Sequence, residues 1–345
     1  MALTARELAA LPLPPLPADD LRVAILTLLD VFGARRVVNR FLAPTPLLRS
    51  AALSERLGFE VRLKCENLQP GGAFKVRGGL NLLSRLSPDA LARGVVTAST
   101  GNHGLSIAYA AREFGTRAVI YVPEGANPQK VAAIERFGGS VVFTGNDFDA
   151  SRAAAGDRAD RDGMYFVHSA NERDLIAGVG TYTLEILEEM PDLEYLFVPV
   201  GGGSGLCGAC IAGKGINPDL KIIGVQAAGA STVRDSWRRR RLVSYDRVDT
   251  FAEGLATRTA FELPAHILWD RVDDITLVTD GEMRRAILTL LETTGMLAEG
   301  AGAAALAAAH NMRAELGGRR VACVISGGNL TLSGLRQAMD EEQAW

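Results

Sequence analysis

Short apolar runs and longer amphipathic stretches alternate along most of the chain. Runs of strand length and β-rich composition occur at 61–65, 94–98, 118–122, 141–144, 165–167, 195–200, 222–225, 275–278 and 321–325. Between them apolar positions recur at helical spacing, as at 105–114, 181–189, 282–293 and 301–316. A further helix is predicted from Asp19 or Asp20 as N-cap to about Phe32. Strands that alternate with helices predict an α/β fold whose parallel-dominated sheets are wrapped by helices.

Bulk properties narrow the class. The 345 residues are 48% hydrophobic, enough for a large core in one big unit or two modest domains. A net charge of −3 with dispersed basic residues draws the chain to neither nucleic acid nor an anionic membrane. No apolar run approaches the roughly 20 residues that span a bilayer, and the N-terminus has no secretory pattern, so a cytoplasmic protein is expected. The proline-rich arm at 11–17 reads as an extended tether laid over the fold. Cys207 and Cys210 form a C-x-x-C, but Cys65 and Cys323 supply no second pair, so both are read as small hydrophobes packing a helix start. The run Arg238-Arg239-Arg240-Arg241 is read as a solvated helix end.

Glycine-rich segments carry the chemistry. Lys75 stands in Gly71-Gly72-Ala73-Phe74-Lys75-Val76-Arg77-Gly78-Gly79, after a strand-like run. Three further loops, Ser99-Thr100-Gly101-Asn102-His103-Gly104, Gly201-Gly202-Gly203-Ser204-Gly205-Leu206 and Ser326-Gly327-Gly328-Asn329, each follow a predicted strand. Ligands of α/β sheets bind beyond the carboxyl ends of strands, so the three loops are expected to meet in one pocket. Backbone N–H groups of the 201–206 loop, at a helix start, suit a phosphate. The loop matches neither a Walker motif nor a dinucleotide fingerprint. Ser99, Thr100, Gly101, Asn102 and His103 offer a small carboxylate hydroxyls, an amide and N–H groups. A lysine beside a phosphate-anchored aldehyde can form a Schiff base.

These residues resemble the pyridoxal-phosphate enzymes of fold type II, the tryptophan-synthase β type, and within them the serine/threonine dehydratase and serine racemase branch. The likeness runs from Thr45-Pro46-Leu47 to Asn329 through four ordered motifs. It implies two domains, a large one of 1–92 and 172–345 that binds pyridoxal 5'-phosphate and a small substrate-loop one of 93–171. It further implies that Lys75 is the Schiff-base lysine, Phe74 packs on the ring, and Asn102 contacts the cofactor hydroxyl. Gly201, Gly202, Gly203, Ser204, Gly205 and Leu206 would cradle the phosphate, and Ser326 would bond the pyridine nitrogen. Ser99, Thr100, Gly101, Asn102 and His103 would hold the substrate carboxylate, with Lys75 and Thr100 as the catalytic pair. His168 and Gly178-Val179-Gly180-Thr181 take scaffold roles.

The details point to a dehydratase. A hydroxyl at Ser326 leaves the ring a weaker electron sink than an acid would, which favours elimination. The expected reaction is conversion of a small β-hydroxy amino acid, threonine or serine, to a 2-oxo acid and ammonia by a homodimer. A dehydratase for a bulkier substrate (phenylserine, hydroxyaspartate or a hydroxyectoine-derived amino acid) and a serine racemase are the alternatives, because Thr100 supplies a hydroxyl where a racemase carries serine. Gln226 stands where many relatives have a cation-binding glutamate, so no metal site is expected. Glu299 opens a segment similar to a family helix start, where it either approaches the active site or serves as a first-turn acid. The chain ends soon after Asn329, so no regulatory domain or feedback inhibition by isoleucine is expected.

Overall fold

The computed structural model describes residues 26–345 except 100, 127 and 147. The proline-rich arm and the start of the helix expected from Asp19 or Asp20 lie outside them, as does Thr100. The first described helix spans Leu28–Val38, past the expected end at Phe32, and its capping box pairs the Thr27 backbone N–H with Asp30 at 2.8 Å.

Among the described residues ten strands form two sheets. The larger has the order β1 (Leu47–Arg49), β2 (Val61–Lys64), β10 (Val321–Val324), β7 (Tyr195–Pro199), β8 (Lys221–Ala227), β9 (Asp274–Val278). All its pairs are parallel except the short edge pair β1–β2. The smaller has the order β5 (Ser140–Phe143), β4 (Ala118–Val122), β3 (Val95–Ala98), β6 (Tyr165–Phe166) and is parallel throughout. Every predicted strand is present within one or two residues at either end. The run 301–316 is broken at Met312 into Gly300–Asn311 and Arg313–Leu316.

Both faces of the large sheet are covered, so its strands are apolar at consecutive positions. On β10, Ala322 and Val324 face a core shared with the helices Leu28–Val38, Arg173–Glu189 and Ser204–Ile216. Val321 and Cys323 face the opposite core, under Ala51–Leu57, Asp280–Thr294 and Gly300–Asn311. The helix Phe148–Asp162 covers the outer face of the small sheet through Ala155 and Ala159. The helices Lys75–Leu83, Arg173–Glu189 and Ser204–Ile216 pack closely: a Cβ on Gly178 would lie 2.5 Å from the Arg77 carbonyl. That contact gives 178–181 the scaffold role expected of it.

Cys207 and Cys210 are free and buried, and burial pushes both thiols well above the ordinary range, as expected of packing residues. The arginine run ends the helix Thr232–Arg239, with Arg240 in a left-handed cap.

Candidate active site

The loops converge because backbone hydrogen bonds tie them. Phe74 N donates to Ser326 O at 3.1 Å and Gly328 N to Gly72 O at 2.9 Å. This places Lys75, first residue of its helix, beside the loop that leaves β10. The loop after β7 runs into Ser204–Ile216, whose first turn presents N–H groups that no helical carbonyl uses. Gly203 turns the chain there with φ of 98°, and a Cβ on it would lie 2.9 Å from Pro264, so glycine is needed twice over.

A cavity of about 590 Å³ lies between these loops. Phe74, Lys75, Ser99, Gly101, Asn102, His103, Gly201, Gly202, Gly203, Ser204, Gly205 and Ser326 all line it. Leu206 does not; its side chain is fully buried in the core against Gly224, because the first turn of the helix aims it inward.

Lys75 Nζ donates to Ser204 Oγ at 2.8 Å and to the Ser169 carbonyl at 3.2 Å. No carboxylate pairs with it among the described residues. Burial alone therefore acts on the ammonium and lowers its pKa to about 8. The Phe74 ring meets Tyr182 edge-on at 6.2 Å, and the Tyr182 hydroxyl donates to Gly205 O at 2.8 Å, which braces the phosphate-type loop. Ser326 is buried, its hydroxyl 3.4 Å from Ala301 O.

On the opposite wall the Ser99 hydroxyl accepts from Gly101 N at 3.1 Å, shaping the turn before the helix Asn102–Glu113. His103 Nε2 lies 3.1 Å from the Thr97 hydroxyl, and burial lowers its pKa to about 3, so the ring is neutral. Asn102 Nδ2 donates to Glu299 Oε1 at 2.6 Å. Burial raises the Glu299 pKa, against lowering by Lys130 and the Asn102 bond. Glu299 is the N-cap of its helix, outside the first turn and without a side-chain capping bond, and it is part of the cavity wall, so it approaches the site and is not a first-turn acid.

His168 sits behind the site: Nδ1 accepts from the backbone N–H of Ala170 and Asn171 at 3.0 and 2.9 Å. Gln226 is wholly buried and Oε1 accepts from Arg234 N at 3.0 Å, which engages it in the fold. No role was expected of Ser169, Asn329, Lys130 or Glu253, all of which line the cavity. Asn329 stood within a recognised motif; Ser169 acts through a backbone carbonyl that leaves no trace in residue type.

The profile of the family described as "Pyridoxal-phosphate dependent enzyme" matches residues 38–327. The chain belongs to that family. Among its relatives, the L-threonine ammonia-lyase of Geobacter sulfurreducens is 42% identical over 83% of this chain and 71% of its own. The processed form of threonine deaminase isoform 2 from Solanum lycopersicum superposes with a TM-score of 0.88 at 30% identity, over 95% of this chain and 93% of that one. Maize serine racemase superposes with a TM-score of 0.86 at 28% identity, over 92% and 98%. As a pyridoxal-phosphate dependent enzyme the protein has a donor set that fits its cofactor. The amine is uncharged at mildly alkaline pH, and a glycine loop at a helix N-terminus suits the phosphate. Described helices include none long and apolar enough to cross a membrane.

Proposed function

We propose that the protein is an ammonia-lyase that eliminates the β-hydroxyl of L-threonine or L-serine, releasing an enamine that hydrolyses to a 2-oxo acid and ammonia. The observation that carries this reading is Lys75 Nζ, half-buried and unpaired with any carboxylate among the described residues, between the phosphate-type loop and Ser326. Bound pyridoxal phosphate supplies the electron sink that makes an amino acid's α-proton removable. Lys75 would hold the cofactor and, as a free amine, would take up that proton. Ser204 Oγ and Ser169 O, within 2.8 and 3.2 Å of Nζ, keep the released amine in place. Gly201, Gly202, Gly203, Ser204 and Gly205 bind the phosphate, and the backbone of Leu206 continues that turn. Ser99, Gly101, Asn102 and His103 form the substrate-carboxylate side with Thr100, and the first-turn N–H groups of the helix Asn102–Glu113 suit an anion. Ser326 would hold the pyridine nitrogen with a hydroxyl too weakly acidic to protonate it, which would favour elimination.

The division into 1–92 with 172–345 and 93–171, a homodimeric state and a cytoplasmic site of action belong to the same proposal. The loaded enzyme is expected to release 2-oxobutyrate from L-threonine at ~1–10³ s⁻¹. Absence of a 2-oxo acid from threonine, serine and larger β-hydroxy amino acids alike overturns it. Phe148, Arg152 and Arg258 on the outer cavity wall favour a second reading, a bulkier or acidic β-substituent. Faster turnover of 3-hydroxyaspartate or phenylserine than of threonine selects that one.

A further inference from the structure

Asn102 is held at both ends of its amide. Asn329 Nδ2 donates to the Gly71 carbonyl at 2.7 Å and to Asn102 Oδ1 at 2.8 Å, and Glu299 Oε1 accepts from Asn102 Nδ2 at 2.6 Å. The polarity of this chain is fixed from one end. A backbone carbonyl only accepts, so the Asn329 nitrogen must face Gly71. That nitrogen is also the group beside Asn102, so Asn102 must turn its oxygen to Asn329 and its nitrogen to Glu299. One Asn102 N–H goes to Glu299, and the second remains for the cavity that Asn102 lines. Asn102 stands on the helix after β3, whereas Glu299 and Asn329 come from the segments flanking the large sheet.

We propose that Glu299 and Asn329 are positioning residues that lock the Asn102 amide with its nitrogen toward the cofactor's phenolic oxygen. The proposal rests on the placement of pyridoxal phosphate in this cavity. An N–H facing that oxygen favours its anionic form; an amide free to turn presents its carbonyl instead and favours the neutral phenol. The two forms of the lysine-bound cofactor absorb at different wavelengths, so the amide's direction is read without turnover.

The test is the absorption spectrum of the loaded enzyme at fixed pH. Glu299→Ala is expected to shift the ratio of the two forms toward the neutral phenol by about fivefold, the size of one net hydrogen bond. Asn329→Ala does the same by freeing the other end, and stands in if Glu299→Ala does not load cofactor. Glu299→Gln, which still offers an acceptor oxygen, keeps the wild-type ratio. In an Asn102→Ala background, Glu299→Ala changes nothing further. An unaltered ratio in both alanine variants overturns the proposal. So does an effect of Glu299→Ala that persists without Asn102, or a Glu299→Gln spectrum as altered as that of Glu299→Ala. If the wild-type protein forms no such chromophore, the cofactor placement itself falls, and this is seen before any substitution is made.

Discussion

Lys75 and Arg77 are two residues apart on one helix, the first half-buried at the cavity and the second fully buried, and they meet opposite fates. Arg77 donates to both Glu66 oxygens at 2.7 and 2.8 Å and to both Glu185 oxygens at 2.6 and 2.8 Å. Lys64 completes the cluster, with Nζ 2.6 Å from Glu185 and 2.6 Å from the Thr45 carbonyl. Two cations and two carboxylates thus neutralise each other, and the guanidinium pKa is held above its ordinary range by the carboxylates despite burial, the largest influence, acting to lower it. Lys75 has burial without a carboxylate, so its amine is pushed down to about 8. Partners, not depth, decide which buried cation stays charged, and the site keeps the one that can lose its proton.

The strongest way to break this contrast is at Lys75. Lys75→Ala is expected to lower turnover by more than about 10³-fold, because both the cofactor link and the base are lost. The thermal midpoint of the cofactor-free protein should not fall. Undiminished 2-oxo acid release by the variant removes the mechanism.

At Arg77 the expectation reverses. Arg77→Met leaves the buried Glu66 without its cation and Glu185 with Lys64 alone, and should cost about 3–5 kcal/mol in denaturant unfolding. Removing the whole cluster for apolar residues should cost far less than that single change. A loss under about 1 kcal/mol for Arg77→Met means that the carboxylates take up protons or water instead.

How these residues looked in sequence differs in the same way. The strands were legible because consecutive apolar positions on a doubly covered sheet leave a strong pattern, as in Val321 to Val324. The motif residues around Lys75 were legible because glycine loops at strand ends are rare and ordered. The helix start at Lys75 was not: Gly78 and Gly79 read as loop residues, yet a Cβ on Gly78 would lie 2.7 Å from Leu175, so packing outweighs propensity. Arg77 drew no reading from the sequence, since Glu66 and Glu185 lie 11 and 108 positions away. Leu206 was grouped with the phosphate loop by the family resemblance, and only the helix's rotation sends its side chain to the core.

A smaller effect sharpens the contrast through pH. In the cofactor-free protein the unfolded chain keeps the Lys75 proton to about 10.5 and the folded one to about 8. Between those values the unfolded state binds more protons, so stability rises with pH. The penalty is full below pH 8 and fades toward 10.5. Cofactor-free Lys75→Met should therefore be more stable than the parent at pH 7, with the difference shrinking as pH climbs. Denaturant midpoints at several pH values check this; a pH-independent difference contradicts desolvation as the cause.

The smallest effect belongs to a pair at the cavity mouth, Lys130 with Glu253, whose side chains are 15% and 57% exposed. It joins the helix Pro128–Arg136, beside the small sheet, to the turn Glu253–Leu255 next to the large one. Asp149 and Arg258 make a second such link. Water reaches these charges, so each pair is screened where the Arg77 cluster is not. Glu253→Gln should change unfolding stability by only about 0.2–1 kcal/mol, an effect that fades with added salt. A double-mutant cycle with Lys130→Met measures the coupling itself. A coupling as large as that of the Arg77 cluster would mean that the mouth is dry and the contrast drawn from burial is wrong. A weak one is what a cavity that must admit an amino acid requires, since closure there has to be reversed at every turnover.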